Sequence, residues 1–240
     1  MSDPQKIVII IPAFNEELNI GLVLEGIQKE APGIPVVVIN DGSSDLTEQI
    51  AIEHGARVIN LSYNSGYGVA LQTGFIYAVQ KEFSTVVHLD ADGQHDPRYI
   101  RHLLEAVNQD NVDVVIGSRF LGKREYKTSF FKRLGMIVFG GIASIIVRRR
   151  VTDPTSGFQA LKGKAVGFAA SDFYPPDYPD ADFIILLHRA GLRVREIPVT
   201  MHSNAQNKSM HRGHKTFYYA FKMVLSILVT ILRKKPGIWV

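Results

Sequence analysis

Cysteine is absent from this 240-residue sequence, so neither a disulfide nor a thiolate metal site is available to it. The absence fits a reducing compartment. Long apolar runs are also missing. The strongly apolar, uncharged stretch LGMIVFGGIASIIV stops after fourteen residues, 134–147, short of the ~20 that a bilayer-crossing helix needs. The N-terminal MSDPQK lacks the basic-then-apolar pattern of a secretory leader, and a cytoplasmic location is expected. There is no Gly-Lys-Ser/Thr phosphate loop, internal repeat or low-complexity tract. Each half, finally, is short of charge of one sign. Residues 1–110 hold six Lys/Arg against 15 Asp/Glu, and residues 111–240 hold 21 against eight. The basic half should therefore face something anionic.

What remains alternates short Val/Ile-rich runs with helical patterns. Strands are expected at 6–14, 35–41, 56–61, 85–92 and 112–120, with helices between them over 16–29, 45–54, 67–82 and 97–107. Near-continuous β-branched runs separated by helices predict a parallel sheet covered on both faces. Farther on, helices are expected at 130–147, 182–191 and 214–233 and a short strand at 194–199, with 152–159 and 171–180 as loops. In the last helix Phe217, Phe221, Val224, Leu225, Leu228, Ile231 and Leu232 fit a helical period, and Lys222, Ser226, Thr230 and Arg233 form a narrow polar stripe.

Ligands of open α/β sheets bind beyond the carboxyl ends of the strands. Three polar clusters fall there: PAFNEE (12–17), NDGSSD (40–45) and DADGQ (90–94). Asp90 and Asp92, one residue apart, repel each other unless a cation lies between them. Oxygen ligands select a hard cation, Mg²⁺ or Mn²⁺, which also takes phosphate oxygens. A polar turn is the plain alternative. An EF-hand loop starting at Asp90 fails, because His95 and Arg101 stand where Gly and Glu are required. An aspartyl-phosphate enzyme fits less well, since Gln94 replaces the usual Thr or Val. Ser43, Ser44 or Asp45 can simply cap the next helix. The glycine-rich NSGYGVA (64–70) can bring backbone amides to a phosphate. Arg119 and Arg133 are candidate phosphate ligands, because Arg binds phosphate through two parallel bonds. The basic flanks RRR (148–150) and RKK (233–235) favour an anionic membrane surface over nucleic acid.

Six stretches in order, IIIPAFNEE, VVVINDGSSDLT, NSGYGVALQTG, HLDADGQHDP, VIGSRF and DPTSGFQA, together resemble family-2 glycosyltransferases of the GT-A fold. The nearest likeness is to the dolichyl-phosphate mannose synthase and polyprenyl-phosphate glycosyltransferase group. The resemblance implies a Rossmann-like, mostly parallel sheet and a catalytic domain over 1–210. That domain would have a nucleotide-binding half, 1–120, and an acceptor half, 121–210, followed by an amphipathic membrane-surface helix in 211–240. It implies nucleotide contacts from Pro12, Phe14, Glu16 and Asp41, and a metal and diphosphate motif in Asp90, Asp92 and Gln94. Asp92 would be essential to the chemistry, and Arg119 and Arg133 would hold an acceptor phosphate. The partners implied are a nucleotide-sugar donor, a polyprenyl-phosphate acceptor and the inner face of a membrane. Two positions depart from the family pattern: Asn40 stands where a first aspartate is usual, and Asn204 and Asn207 stand where Arg and Gly are. Lys208, with His202 or His211, is the expected substitute charge. A sugar-hydroxyl acceptor would instead need a general base, for which Asp153 and Asp182 are candidates. A non-catalytic nucleotide-sugar sensor is the remaining alternative.

Overall fold

The computed structural model describes residues 6–121, 130–177, 179–202 and 214–233, with backbone only for 130–138, 214–221 and 223. Its strands are β1 (Ile7–Ala13), β2 (Val36–Asn40), β3 (Arg57–Asn60), β4 (Thr85–His88), β5 (Val114–Ser118), β6 (Gln159–Lys162) and β7 (Val194–Pro198). Its helices are α1 (Ile20–Glu30), α2 (Thr47–Glu53), α3 (Tyr67–Gln80), α4 (Tyr99–Val107), α5 (Phe130–Val147), α6 (Lys164–Ala169), α7 (Ala181–Arg189) and α8 (His214–Leu232). The strands form one sheet in the order β3-β2-β1-β4-β6-β5-β7. Only β6 runs against the rest, antiparallel to both β4 and β5.

Successive strand residues point to opposite faces, and the Val/Ile runs supply apolar side chains to both. Val8, Ile10, Val37, Ile39 and Val86 join one core with residues of α3, α5, α6 and α7. Ile9, Ile11, Val38 and Val87 join the other with α1 and α4. Ile9, Ile10 and Ile11 are all fully buried, each worth ~1.5–3 kcal/mol by transfer from water. Gly74 lets α3 lie directly on the sheet, since a Cβ there would stand 2.5 Å from Cγ2 of Ile10.

Two elements escaped the sequence pattern. β6 begins at the last residue of the 152–159 loop and α6 follows it; four residues (QALK) and six residues (KAVGFA) are too short to show a period. Two boundaries also move. α1 begins at Ile20 rather than at Glu16 and carries no acid in its first turn. Asn15 adopts φ 54°, and the amides of Asn15, Glu16 and Glu17 are held by the β2–α2 loop instead of entering a helix. β4 stops at His88, so Asp90 and Asp92 lie beyond the sheet.

α5 packs by Phe139, Ala143 and Val147, spaced four residues apart, while Ile145 is 79% exposed. α8 turns Ser226 and Thr230 of its polar stripe inward and leaves Arg233 exposed. Ile227 and Thr230 are buried and Ser226 bonds to α7, whereas Val224, Leu225, Leu228, Val229, Ile231 and Leu232 are exposed. Arg189 secures the far end of α8 by donating to the carbonyls of Thr230, Ile231 and Arg233. No helix among the described residues is long and apolar enough to cross a membrane.

Candidate active site

Parallel pairing brings Ala13, Asn40 and Asn60 to the same sheet edge, and the loops that follow are bonded to one another. Asn15 N–H donates to Ser43 Oγ (2.9 Å), Glu16 N–H to Thr47 Oγ1 (2.8 Å) and Glu17 N–H to Asp45 Oδ2 (3.1 Å). In return Ser44 N–H donates to Asn15 Oδ1 and Leu46 N–H to Glu17 Oε2. Ser43 and Asp45 therefore tie two loops together rather than only capping α2. The turn requires Gly42, which has φ 70° and whose Cβ would stand 2.6 Å from the Tyr63 carbonyl carbon. Asn40 closes it from below, accepting from Ser43 N–H and donating to Asn60 Oδ1.

Asp41 extends the chain of contacts to the glycine-rich loop. Its two carboxylate oxygens accept from the amides of Ser65 (2.7 Å) and Gly66 (2.9 Å) at the start of α3. Gly68 N–H donates to the Asp177 carbonyl, and a Gly68 Cβ would meet the Pro175 carbonyl at 2.4 Å. These amides are thus satisfied by protein groups, and the small residues admit the Pro175–Pro176 segment. Tyr67, between them, donates its hydroxyl to Asp90 Oδ1 at 2.7 Å. Burial, and then the Asp90 charge, pushes the Tyr67 pKa well above 10, so the phenol remains a donor.

The carboxylate loop is braced from within. Asp90 N–H donates to His95 Nδ1 at 3.0 Å, which leaves the proton of the neutral ring on Nε2, 3.7 Å from Asp90 Oδ2. His95 is stacked on Phe158, and burial lowers its pKa to about 4. Asp92 accepts from both the backbone and side-chain amide of Gln94. Burial pushes the Asp90 carboxyl up, against the Tyr67 hydroxyl and the Arg119 charge. Burial and then the neighbouring Asp90 charge push Asp92 up too. Two neighbouring carboxyls, both raised by burial and Asp92 further by the Asp90 charge, are the setting a divalent cation relieves. No cluster of three or more His, Asp or Glu suited to a metal occurs among the described residues. The pair with the Gln94 amide would hold Mg²⁺ or Mn²⁺ while leaving positions for ligand oxygens, as those ions require.

Arg119 leaves the end of β5 and turns onto Asp153. Its Nε and Nη2 each donate to one Asp153 oxygen at 2.6 Å, and Nη2 also donates to Thr155 Oγ1. The Asp153 side chain is completely buried. Its backbone is fixed by Glu196, which accepts from the amides of Thr152 and Asp153.

A model of glycosyl transferase family 2 matches residues 8–166, two thirds of the sequence. The chain belongs to glycosyl transferase family 2. An uncharacterised protein of Methanocaldococcus jannaschii is 33% identical over 226 residues, 92% of this chain and 91% of its own. A polyprenol monophosphomannose synthase of Mycolicibacterium smegmatis is 27% identical, covering 91% and 86%. Among solved structures, glucosyl-3-phosphoglycerate synthase of Mycobacterium tuberculosis, with Mn²⁺ and UDP-glucose, superposes with a TM-score of 0.70. It shares 21% identity over 94% of this chain and 78% of that one. Its likeness is one of fold, the GT-A type.

In this glycosyltransferase Pro12 is buried at the end of β1, Phe14 is 44% exposed at the loop mouth, and Glu16 accepts from the Asn19 side-chain amide. Arg133 sits on α5 with its side chain outside the described residues; Lys208, Asn204, Asn207 and His211 lie outside them altogether. His202 lies alongside the carboxylate loop, its N–H donating to the Gln94 carbonyl. Of the two candidate bases, Asp153 is bound to Arg119, and Asp182 is buried against α8, accepting from Ser226 Oγ and the amides of Phe183 and Asp180. Sequence reasoning missed three residues. Tyr67 and His95 hold Asp90, and Gly157 lies where a Cβ would stand 2.7 Å from the Tyr67 hydroxyl and 2.9 Å from Asp90 Oδ2. The DPTSG stretch signalled Gly157 as a turn residue, but only contact across the sheet reveals its neighbours.

Proposed function

We propose that this glycosyltransferase moves a hexose from a nucleotide-diphosphate sugar, GDP-mannose or a UDP-hexose, onto a polyprenyl phosphate, with inversion, using Mg²⁺ or Mn²⁺. The observation that carries the reading is the Asp90–Asp92 pair beyond the end of β4, with Asp90 held by Tyr67 and His95 and Asp92 by Gln94. Bound there, the cation would neutralise charge on the departing nucleoside diphosphate. Asp90, Asp92 and Gln94 would hold it, and the Glu16 and Asp41 loops would position the nucleotide. Arg119 and Arg133 would orient the acceptor phosphate, with Lys208 adding charge. Such an acceptor is already anionic at neutral pH, so its attack needs placement rather than a base. The engagement of both Asp153 and Asp182 favours this over a sugar-hydroxyl acceptor.

The enzyme would work at the inner face of a membrane. Support comes from the outward apolar face of α8 and from Arg148, Arg149 and Arg150, all exposed. Each basic residue near an anionic surface adds ~1 kcal/mol. Flotation with anionic liposomes should carry the protein, and Leu228→Glu with Leu232→Glu should abolish it without loss of fold; failure of the parent protein to float would remove the membrane from the reading. The reaction itself is tested with Mn²⁺, a phosphorylated polyprenol and a panel of GDP- and UDP-sugars. Lipid-linked sugar from one donor, lost in Asp92→Asn, is expected. Slow donor hydrolysis without lipid product would move the reading to a hydroxyl acceptor.

A further inference from the structure

We propose that Tyr67 is a positioning residue that leaves Asp90 a single oxygen for a cation and so favours Mg²⁺ or Mn²⁺ over Ca²⁺. The inference rests on the reading of Asp90 and Asp92 as cation ligands.

Donor and acceptor both stand on fixed mounts. Tyr67 opens α3 between Gly66, whose amide is held by Asp41, and Gly68, whose amide is held by the Asp177 carbonyl. Asp90 is fixed through its own amide on His95, which is stacked on Phe158. The 2.7 Å bond from the Tyr67 hydroxyl therefore sets the carboxylate plane and engages Oδ1. Gly157 preserves this geometry, because a Cβ there would lie within 3.0 Å of the hydroxyl and both carboxylate oxygens. Chelation of one ion by both oxygens would require Oδ1 to share or give up a charge-assisted bond. Ca²⁺, with its larger and looser shell, readily takes both oxygens of a carboxylate, whereas Mg²⁺ demands near-octahedral single-oxygen ligands and retains water, and Mn²⁺ favours the same oxygen octahedron. The Tyr67 bond leaves Oδ2, which His95 Nε2 faces at 3.7 Å, beyond hydrogen-bonding distance, and a single ligating oxygen suits the smaller ions.

The test is Mn²⁺ binding to the full chain, with UDP or GDP present in turn, read from the electron paramagnetic resonance of free Mn²⁺ and followed by Ca²⁺ competition. The parent protein should bind Mn²⁺ and release it to Ca²⁺ only at large excess. Tyr67→Phe should weaken Mn²⁺ about tenfold, within the range for lost support of a metal ligand, and should lower the ratio of Ca²⁺ to Mn²⁺ dissociation constants. Gly157→Ala parts the same hydroxyl from the carboxylate with both side chains still present, and should lower the ratio likewise. If both variants keep the parent ratio, whether binding is unchanged or weaker for both ions, the inference is overturned while the cation site stands. If the parent protein binds no Mn²⁺ with either nucleotide, the reading of the site falls and the inference with it.

Discussion

Replacing Asp182 by asparagine should make the protein more stable at neutral pH. The side chain is 1% exposed, and burial raises its pKa from 3.8 to about 6, although Ser226 and the amides of Phe183 and Asp180 pull it down. A rise of two units corresponds to about 3 kcal/mol against the ionised form. Below pH ~4 both the folded and unfolded chains hold the proton and Asp182 contributes no difference. Between pH ~4 and ~6 the unfolded chain has released it while the folded chain retains it, so stability falls as pH rises. Above ~6 the whole cost is present. Asparagine has the same shape: its Oδ1 can accept the two amides and its Nδ2 can donate to Ser226 Oγ. Reorientation of the Ser226 hydroxyl discounts the gain to about 1–3 kcal/mol. Urea denaturation followed by circular dichroism at pH 7.5 should show that gain, and at pH 4 almost none. Loss of stability at pH 7.5, or an equal gain at both values, would refute the reasoning. Turnover should survive the change; its abolition would restore Asp182 as a base.

Gly157→Ala should cost about 1–3 kcal/mol, the usual range for overpacking, and reduce sugar transfer on the order of 100-fold through displacement of Asp90. Its cost should shrink in a Tyr67→Phe background if the two act through one bond; full additivity in denaturation midpoints would show that they do not. Gly68→Ala meets backbone rather than side chain, at 2.4 Å from the Pro175 carbonyl. About 3 kcal/mol should be lost, with protease sensitivity appearing first within 171–177; an unchanged thermal midpoint would contradict the contact. Asp92→Asn should abolish transfer with no fall in stability, because removing one of two mutually repelling carboxylates relieves the fold; calorimetry beside the transfer assay checks both halves.

Local pattern was enough for much of this protein. The Val/Ile runs and their spacing from helical segments determined five same-direction strands, because side-chain alternation and helical period are properties of a few consecutive residues. The same short-range logic put PAFNEE, NDGSSD and DADGQ beyond the strand ends, so the site's edge was legible. What tertiary structure alone decided involves partners far apart in the chain. β6 owes its place to two neighbouring strands rather than to its own four residues. Arg119 finds Asp153, 34 residues on, and a guanidinium expected to face a phosphate is also one half of a buried ion pair. Ser226 of the α8 polar stripe faces inward because Asp182 of α7 accepts from it, and Arg189 of α7 holds the backbone carbonyls at the end of the same helix. Tyr67, Asp90 and Gly157 meet at one point from three separate segments. A periodic signal fixes what each segment is; only packing, in which a buried polar group must find its partner wherever that lies in the chain, fixes what it touches.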